Sequence, residues 1–217
     1  MKQLSKLTPE FLSNIENIIF DLGGVIVGLD ESLTKDAFRE IIGLDQIAGT
    51  KYTEFFHKIE TGSIPEEEFR AALKEAAKDH GLSMPDDSSL DLAWNKMILT
   101  IPHKNIELLK ILSQRFNIFL LSNTNSIHLR YFSENAFLDG CDFEAFEKLF
   151  INTYYSHLIG ARKPDREAYD YVINGNSLEP SKTLFIDDNA PNFKGALEAG
   201  IYCYQIKGDL DSIGLEC

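Results

Sequence analysis

The chain has 217 residues, 44% of them hydrophobic and 25% charged, which suits one large α/β core with a modest insert and gives no sign of disorder. A formal net charge of −13 argues against a general nucleic-acid binder, because the phosphate backbone attracts basic surfaces. No apolar run approaches the length of a membrane span and the first thirty residues show no leader-like pattern, so a cytoplasmic protein with no membrane partner is expected. Cys141, Cys203 and Cys217 are widely spaced with no CxxC pair, which predicts reduced thiols rather than a zinc site or a disulfide framework.

In chain order, Thr8-Pro9-Glu10 opens a short helix with Phe11, Leu12 and Ile15 at helical spacing, placed outside the core. Asn17-Ile18-Ile19-Phe20 is a β-rich run that ends in Asp21, Leu22, Gly23 and Gly24. From Leu29 to Leu99 the apolar residues recur only at helical spacing, on four faces. These are Phe38, Ile41 and Ile42; Tyr52, Phe55, Phe56 and Ile59; Phe69, Ala72, Leu73 and Ala76; and Leu90, Trp94, Met97 and Ile98. Gly43, Gly62 and the stretch from Gly81 to Pro85 punctuate them. Beyond that, helix and strand alternate. A helix over 106–115 leads to a strand over 118–121; a helix over 126–135 precedes a short strand at 154–156. A helix over 166–174 leads to a strand over 184–186, and one over 192–199 to a strand over 201–206. Such alternation predicts an α/β fold, a Rossmann-like parallel sheet core (1–28 and 100–217) with an inserted α-helical bundle (29–99).

Three predicted strands end in chemistry-bearing residues: Asp21, then Ser122-Asn123-Thr124, then Asp187-Asp188-Asn189. Lys163 sits in the turn Arg162-Lys163-Pro164-Asp165. Each has a plainer reading alone. An Asp after a strand is often a turn residue, Ser122-Asn123 could cap the next helix, Asp187-Asp188 could be a cap and turn pair, and a Lys before proline is usually solvated. Their joint occurrence at the carboxyl edge of a parallel sheet, where such sheets bind ligands, makes the plain account improbable. Gly23-Gly24 permits a sharp turn at φ > 0 after Asp21 and a close backbone approach.

The segments IIFDLGGVIV, LLSNTN, RKPD and LFIDDNAPNFKGALEAG resemble the four motifs of the haloacid dehalogenase superfamily: a nucleophilic Asp, a Ser/Thr, a Lys/Arg and an acidic pair. FDLGGV is most similar to the subgroup that includes α-glucose-1-phosphatase-like members, in which a helical insert after the first motif is a cap over the site. The resemblance implies a Mg²⁺-dependent phosphatase acting on a small phosphorylated metabolite, a sugar phosphate among the candidates. Asp21 would be the nucleophile, forming an aspartyl-phosphate, and a metal ligand. Asp188 would be a second ligand, Asp187 would bind directly or through water, and the Gly23 carbonyl would be a third. Ser122 and Asn123 would hold the phosphoryl oxygens, and Lys163 would neutralise charge that develops in transfer.

The chain departs from the family pattern at Gly23, where an acid usually protonates the leaving oxygen. Such assistance is worth ~10²–10⁴-fold, so either the leaving group is good or another residue substitutes. Asp30, His57 and His128 are the candidates. Phe55, Phe56 and Trp94 are expected in the bundle core rather than as sugar platforms. Two alternatives are a non-catalytic phosphate-binding module of the same fold and a 2-haloacid dehalogenase. The latter lacks the second acid too but generally needs no metal, which leaves Asp187-Asp188 without a task. Oligomeric state is left open, since no heptad run is present.

Overall fold

The computed structural model describes residues 2–44, 49–137, 142–208 and 210; Cys141 and Cys217 lie outside them. Among the described residues the strands are β1 (Gln3–Leu4), β2 (Asn17–Phe20), β3 (Asn117–Ser122), β4 (Asn152–Tyr155), β5 (Thr183–Asp187) and β6 (Tyr202–Gln205). All pair in parallel, in the spatial order β1-β6-β5-β2-β3-β4. The chain therefore builds outward from β2 to β3 and β4, then returns to the other side of β2 for β5 and β6. That reversal puts a crevice at the carboxyl end of β2, between β3 and β5.

The central strands are apolar on both faces because helices cover both. Side chains alternate across the sheet. Ile18, Phe20, Ile118, Leu120, Leu184 and Ile186 join one core cluster, while Ile19, Phe119, Leu121, Phe185 and Cys203 join the opposite one. By that period Asp21 follows Ile19, and Asp187 follows Phe185, onto the second face. Cys203 is buried there, and desolvation pushes its thiol up to about 12, which keeps it protonated and inert.

The helices are α1 (Pro9–Leu12), α2 (Glu31–Ile42), α3 (Thr53–Glu60), α4 (Glu66–Asp79), α5 (Asp87–Asn95), α6 (His103–Ser113), α7 (Ser126–Asn135), α8 (Phe143–Glu147), α9 (Ser156–Ile159), α10 (Arg166–Gly175) and α11 (Phe193–Glu198). Four of them, α2 to α5, share a core of their own around Trp94, whose ring meets Phe38, Phe56 and Phe69. Phe56 and Trp94 are buried in it, as their helical spacing predicts, and Phe55 packs against it.

Several boundaries differ from the sequence reading. The segment before β2 contributes an edge strand, β1, beside β6; two residues are too few to show a period. Helix α1 starts under the Thr8 cap but stops at Leu12, and Ile15 is buried beyond it. Ser156 begins α9 rather than ending a strand, and α8 is additional. The cap of α7 is Asn125, which accepts from the His128 N–H at 3.0 Å, so Ser122-Asn123 is free of that duty.

The four-helix cluster is tied to the sheet-bearing part through α7. Ile127 inserts into the cluster's apolar core. Glu66 accepts from Arg130 at 2.9 and 3.1 Å, from the Ser126 hydroxyl at 2.7 Å and from Arg70 at 2.6 Å. These partners, Arg130 foremost, hold the Glu66 carboxyl down at about 2. A depressed folded-state pKa stabilises above the unfolded value and is lost as pH falls through the folded one. Glu66→Gln is therefore expected to cost about 2 kcal/mol in urea unfolding at neutral pH, with the deficit vanishing between the carboxyl's ordinary value of 4.5 and about 2.

Candidate active site

Register brings the strand ends together. Phe20 pairs with Leu120 on one side and Ile186 on the other, and the Asp21 N–H continues the ladder to the Ile186 carbonyl at 2.9 Å. Asp21 thus stands beside Asp187, with Ser122 one residue further along β3. Asp21, Ser122, Asn123, Lys163 and Asp188 all line one cleft of about 880 Å³, bounded opposite by residues of α2, α3 and α5.

Lys163 lies at the centre of the polar arrangement. Its side chain is 1% exposed, and Nζ is 2.6 Å from Asp21 Oδ1 and 2.9 Å from Asp187 Oδ2. Burial alone would favour its neutral form, but the two carboxylates outweigh burial and hold its pKa above the usual lysine value. The loop that carries it is fixed from two sides. Asn123 clamps the Lys163 main chain, accepting its N–H on Oδ1 and donating Nδ2–H to its carbonyl, both at 2.8 Å. From behind, Gly195 on α11 lies so close that a Cβ there would stand 2.3 Å from the Pro164 carbonyl oxygen.

The two acids of the β5 end have different surroundings. Asp187 is fully buried, with Oδ1 accepting from the Asn189 N–H at 2.7 Å and Oδ2 accepting from Asn192 Nδ2 at 2.8 Å as well as from Lys163. Asp188 is exposed on the cleft side, its carboxyl raised by partial desolvation and by the charge of Asp187. A Cβ on Gly24 would lie 2.4 Å from Asp188 Oδ2, and Gly24 has φ +74°, so only glycine admits this carboxylate there.

Asp21 has one oxygen engaged and one open. Oδ1 accepts from Lys163 and from the Leu22 N–H at 2.7 Å, whereas Oδ2 has no protein partner among the described residues. Burial, followed by the opposing effect of Lys163 and the repulsion of Asp187, raises its carboxyl to about 7. The ligand-capable oxygens of Asp21, Asp187 and Asp188 lie within 4.8 Å of one another. An oxygen-only, anionic cluster of this size fits a hard divalent cation such as Mg²⁺, which would also favour ionised carboxylates. The turn after Asp21 is closed by Val27 N–H to Leu22 C=O at 2.9 Å and Gly24 N–H to Val27 C=O at 2.8 Å, which leaves the Gly23 carbonyl without a main-chain partner among the described residues.

The two glycines have separate functions that the sequence did not distinguish. Gly24 alone has positive φ. At Gly23 a Cβ would stand 2.5 Å from Leu29 Cδ1, the end of a 41% exposed side chain, so a side chain there would need Leu29 to shift aside. Of the candidate substitutes, Asp30 is not in the cleft lining; it caps α2, accepting from Ser32 N–H at 3.0 Å and from the Ser32 hydroxyl. His128 lines the cleft but burial pushes it down to about 3, and its Nδ1 pairs with Asn95 Oδ1 at 2.8 Å, so it is neutral. His57 lines the cleft from α3. Asn192 and Gly195 were missed as functional positions: Asn192 follows its partner Asp187 by five residues in a turn that carries no period, and Gly195 meets Pro164 from roughly 30 positions away.

A doubly wound parallel sheet whose switch-point crevice gathers carboxylates, a hydroxyl and a buried ammonium has the architecture of an α/β enzyme with its site at the carboxyl edge of the sheet. The chain belongs to the haloacid dehalogenase-like hydrolases, whose family model matches residues 15–200. It is 28% identical over 207 residues to D-ribitol-5-phosphate phosphatase of Bacteroides thetaiotaomicron, covering 91% of this chain and 94% of that one. A HAD family enzyme of the same organism, solved in complex with magnesium and inorganic phosphate, is similar at 33% identity and TM-score 0.77, over 89% of this chain and 94% of the other. The L-2-haloacid dehalogenase of Xanthobacter autotrophicus shares the fold alone, at 20% identity and TM-score 0.59 over 88% and 77% of the two chains.

Replacing Lys163 with Met leaves Asp21 and Asp187 as adjacent buried carboxylates without their ammonium. Breaking a buried pair in this way is expected to cost about 3–5 kcal/mol in urea unfolding at neutral pH. A loss below about 1 kcal/mol would mean that Lys163 is solvated.

Proposed function

We propose that this chain is a Mg²⁺-dependent phosphomonoesterase that hydrolyses a small phosphorylated metabolite, a polyol or sugar phosphate, through an aspartyl-phosphate on Asp21. The observation that carries the reading is the Asp21 carboxylate, with Oδ1 held by Lys163 and Leu22 and Oδ2 unpartnered beside an oxygen-only acidic cluster. Similarity over nearly the whole chain to a D-ribitol-5-phosphate phosphatase supports the reaction class and the substrate class.

In this reading Asp21 Oδ2 attacks phosphorus while the bond to the leaving oxygen breaks, and water then attacks the aspartyl-phosphate to release inorganic phosphate. Lys163 keeps Asp21 oriented and offsets the charge gathering on the phosphoryl oxygens. The Ser122 hydroxyl, which has no protein partner among the described residues, donates to one of those oxygens, with Asn123 next to it keeping Lys163 in register. Asp21, Asp188 and the Gly23 carbonyl would hold Mg²⁺ directly, and Asp187, whose oxygens already serve three donors, would reach it through water. The metal would supply charge neutralisation at the phosphoryl group. Gly23 provides no acid, and with Asp30 committed to its helix and His128 neutral, His57 is the candidate proton donor to the leaving oxygen. Helices α2 to α5, within 29–99, act as the cap over a catalytic core of 1–28 and 100–217. Carbon–halogen hydrolysis would leave Asp188 unused.

Phosphate release from D-ribitol 5-phosphate, α-glucose 1-phosphate and glucose 6-phosphate is the test. Release is expected with Mg²⁺, is expected to stop with EDTA, and should fall by about 10³-fold or more in Asp21→Asn. Release that survives EDTA or Asp21→Asn would refute the mechanism.

A further inference from the structure

Glu60, the last residue of α3, and Arg162, the residue before Lys163, face each other across the cleft that both line. Arg162 Nε donates to Glu60 Oε2 at 2.8 Å, and each side chain is 23% exposed. The contact is supported next door: at Gly62, with φ +64°, a Cβ would lie 2.3 Å from the His157 carbonyl oxygen, so the end of α3 is pressed onto α9. The pair is thus held in place, yet this bond uses one of the guanidinium's five N–H donors and one of the two carboxylate oxygens. Glu60 Oε1 and both terminal nitrogens of Arg162 have no protein partner among the described residues, and none of these atoms is among those sealed from solvent.

We propose that Glu60 and Arg162 are the specificity-determining pair that reads the hydroxyl groups of the leaving group. This rests on the phosphatase reading above and assigns its substrate side. A guanidinium edge and a carboxylate oxygen, held side by side, present donors next to an acceptor, which matches adjacent alcohols that each accept one hydrogen bond and donate another. The guanidinium fork is planar and already oriented through Nε, so little side-chain freedom is lost on binding. Both residues line the same cleft as Asp21, Ser122 and Lys163. A leaving group that runs from a phosphoryl group at Asp21 into that cleft can therefore reach the pair. Sites built to bond a hydroxyl discriminate strongly against analogues without it, because their polar groups are left unpaired.

The test compares kcat/KM for D-ribitol 5-phosphate with that for phenyl phosphate, whose leaving group has no alcohol hydroxyl, in the wild type, Arg162→Met and Glu60→Gln. The ratio of the two is expected to fall at least tenfold in Arg162→Met, and in the same direction in Glu60→Gln. If both substrates lose rate together, so that the ratio falls by less than tenfold, the pair is only a tie between α3 and the Lys163 loop and the inference is overturned. Wild-type release from phenyl phosphate but not from D-ribitol 5-phosphate overturns it while leaving the phosphatase reading intact. Release from neither substrate overturns the phosphatase reading, and this inference with it.

Discussion

A lysine ammonium buried between two carboxylates is the constraint on which the rest of this molecule depends. Removing Lys163 from water is costly, and the cost is offset only because Asp21 and Asp187 lie 2.6 and 2.9 Å away. Those two acids can flank it because β2 and β5 are hydrogen-bonded neighbours with Phe20 level with Ile186. The sheet order thus precedes the chemistry: reversing the winding direction at β2 opens the crevice, and the period of two turns both acids to the face from which the Lys163 loop approaches. With one ammonium against Asp21, Asp187 and Asp188, the crevice keeps an excess of negative charge. Burial raises the carboxyls of Asp21 and Asp188, the charge of Asp187 raises both further, and a divalent cation would favour their ionised forms.

The remaining polar groups fix Lys163 rather than compete for it. Asn123 holds its main chain, Asn192 and the Asn189 N–H occupy the free lone pairs of Asp187, and Gly195 lets α11 back the loop directly. Such satisfaction is what a buried network requires if it is to hold one geometry. Among the described residues of the sheet edge it leaves few atoms open to a ligand: Asp21 Oδ2, the Ser122 hydroxyl, the Gly23 carbonyl and the cleft side of Asp188. The opposite wall belongs to α2, α3 and α5, where Trp94 stacks on His128 and Glu60 meets Arg162. In the proposed reading the phosphoryl chemistry centres on the sheet edge, and recognition on the contact between that edge and the helical cluster.

Much of this was legible in the sequence, for reasons that differ by residue. Asp21, Ser122 and Asp187 end apolar strands, and a strand's end in a parallel sheet places its residue in the crevice whatever the loops do. The four helices between Glu31 and Asn95 were legible because each buries a stripe at helical spacing. Lys163 was ambiguous, since a lysine before proline in a turn looks solvated until the fold shows two acids above it. The clamp by Asn123 and the support from Gly195 join residues 40 and roughly 30 positions apart, beyond any local pattern. Gly23 and Gly24 look alike in sequence, yet only Gly24 is required by its backbone angle and by Asp188, whereas Gly23 meets just the exposed end of Leu29. The edge strand β1 escaped because two residues carry no periodicity.

A crystal structure with Mg²⁺ and inorganic phosphate tests the central arrangement most directly. The cation is expected on Asp21, Asp188 and the Gly23 carbonyl, with phosphate against the Ser122 hydroxyl and Lys163, and with Lys163 still bonded to Asp187. A cation bound directly by Asp187, with Lys163 displaced from it, would contradict the division of labour argued for the two acids.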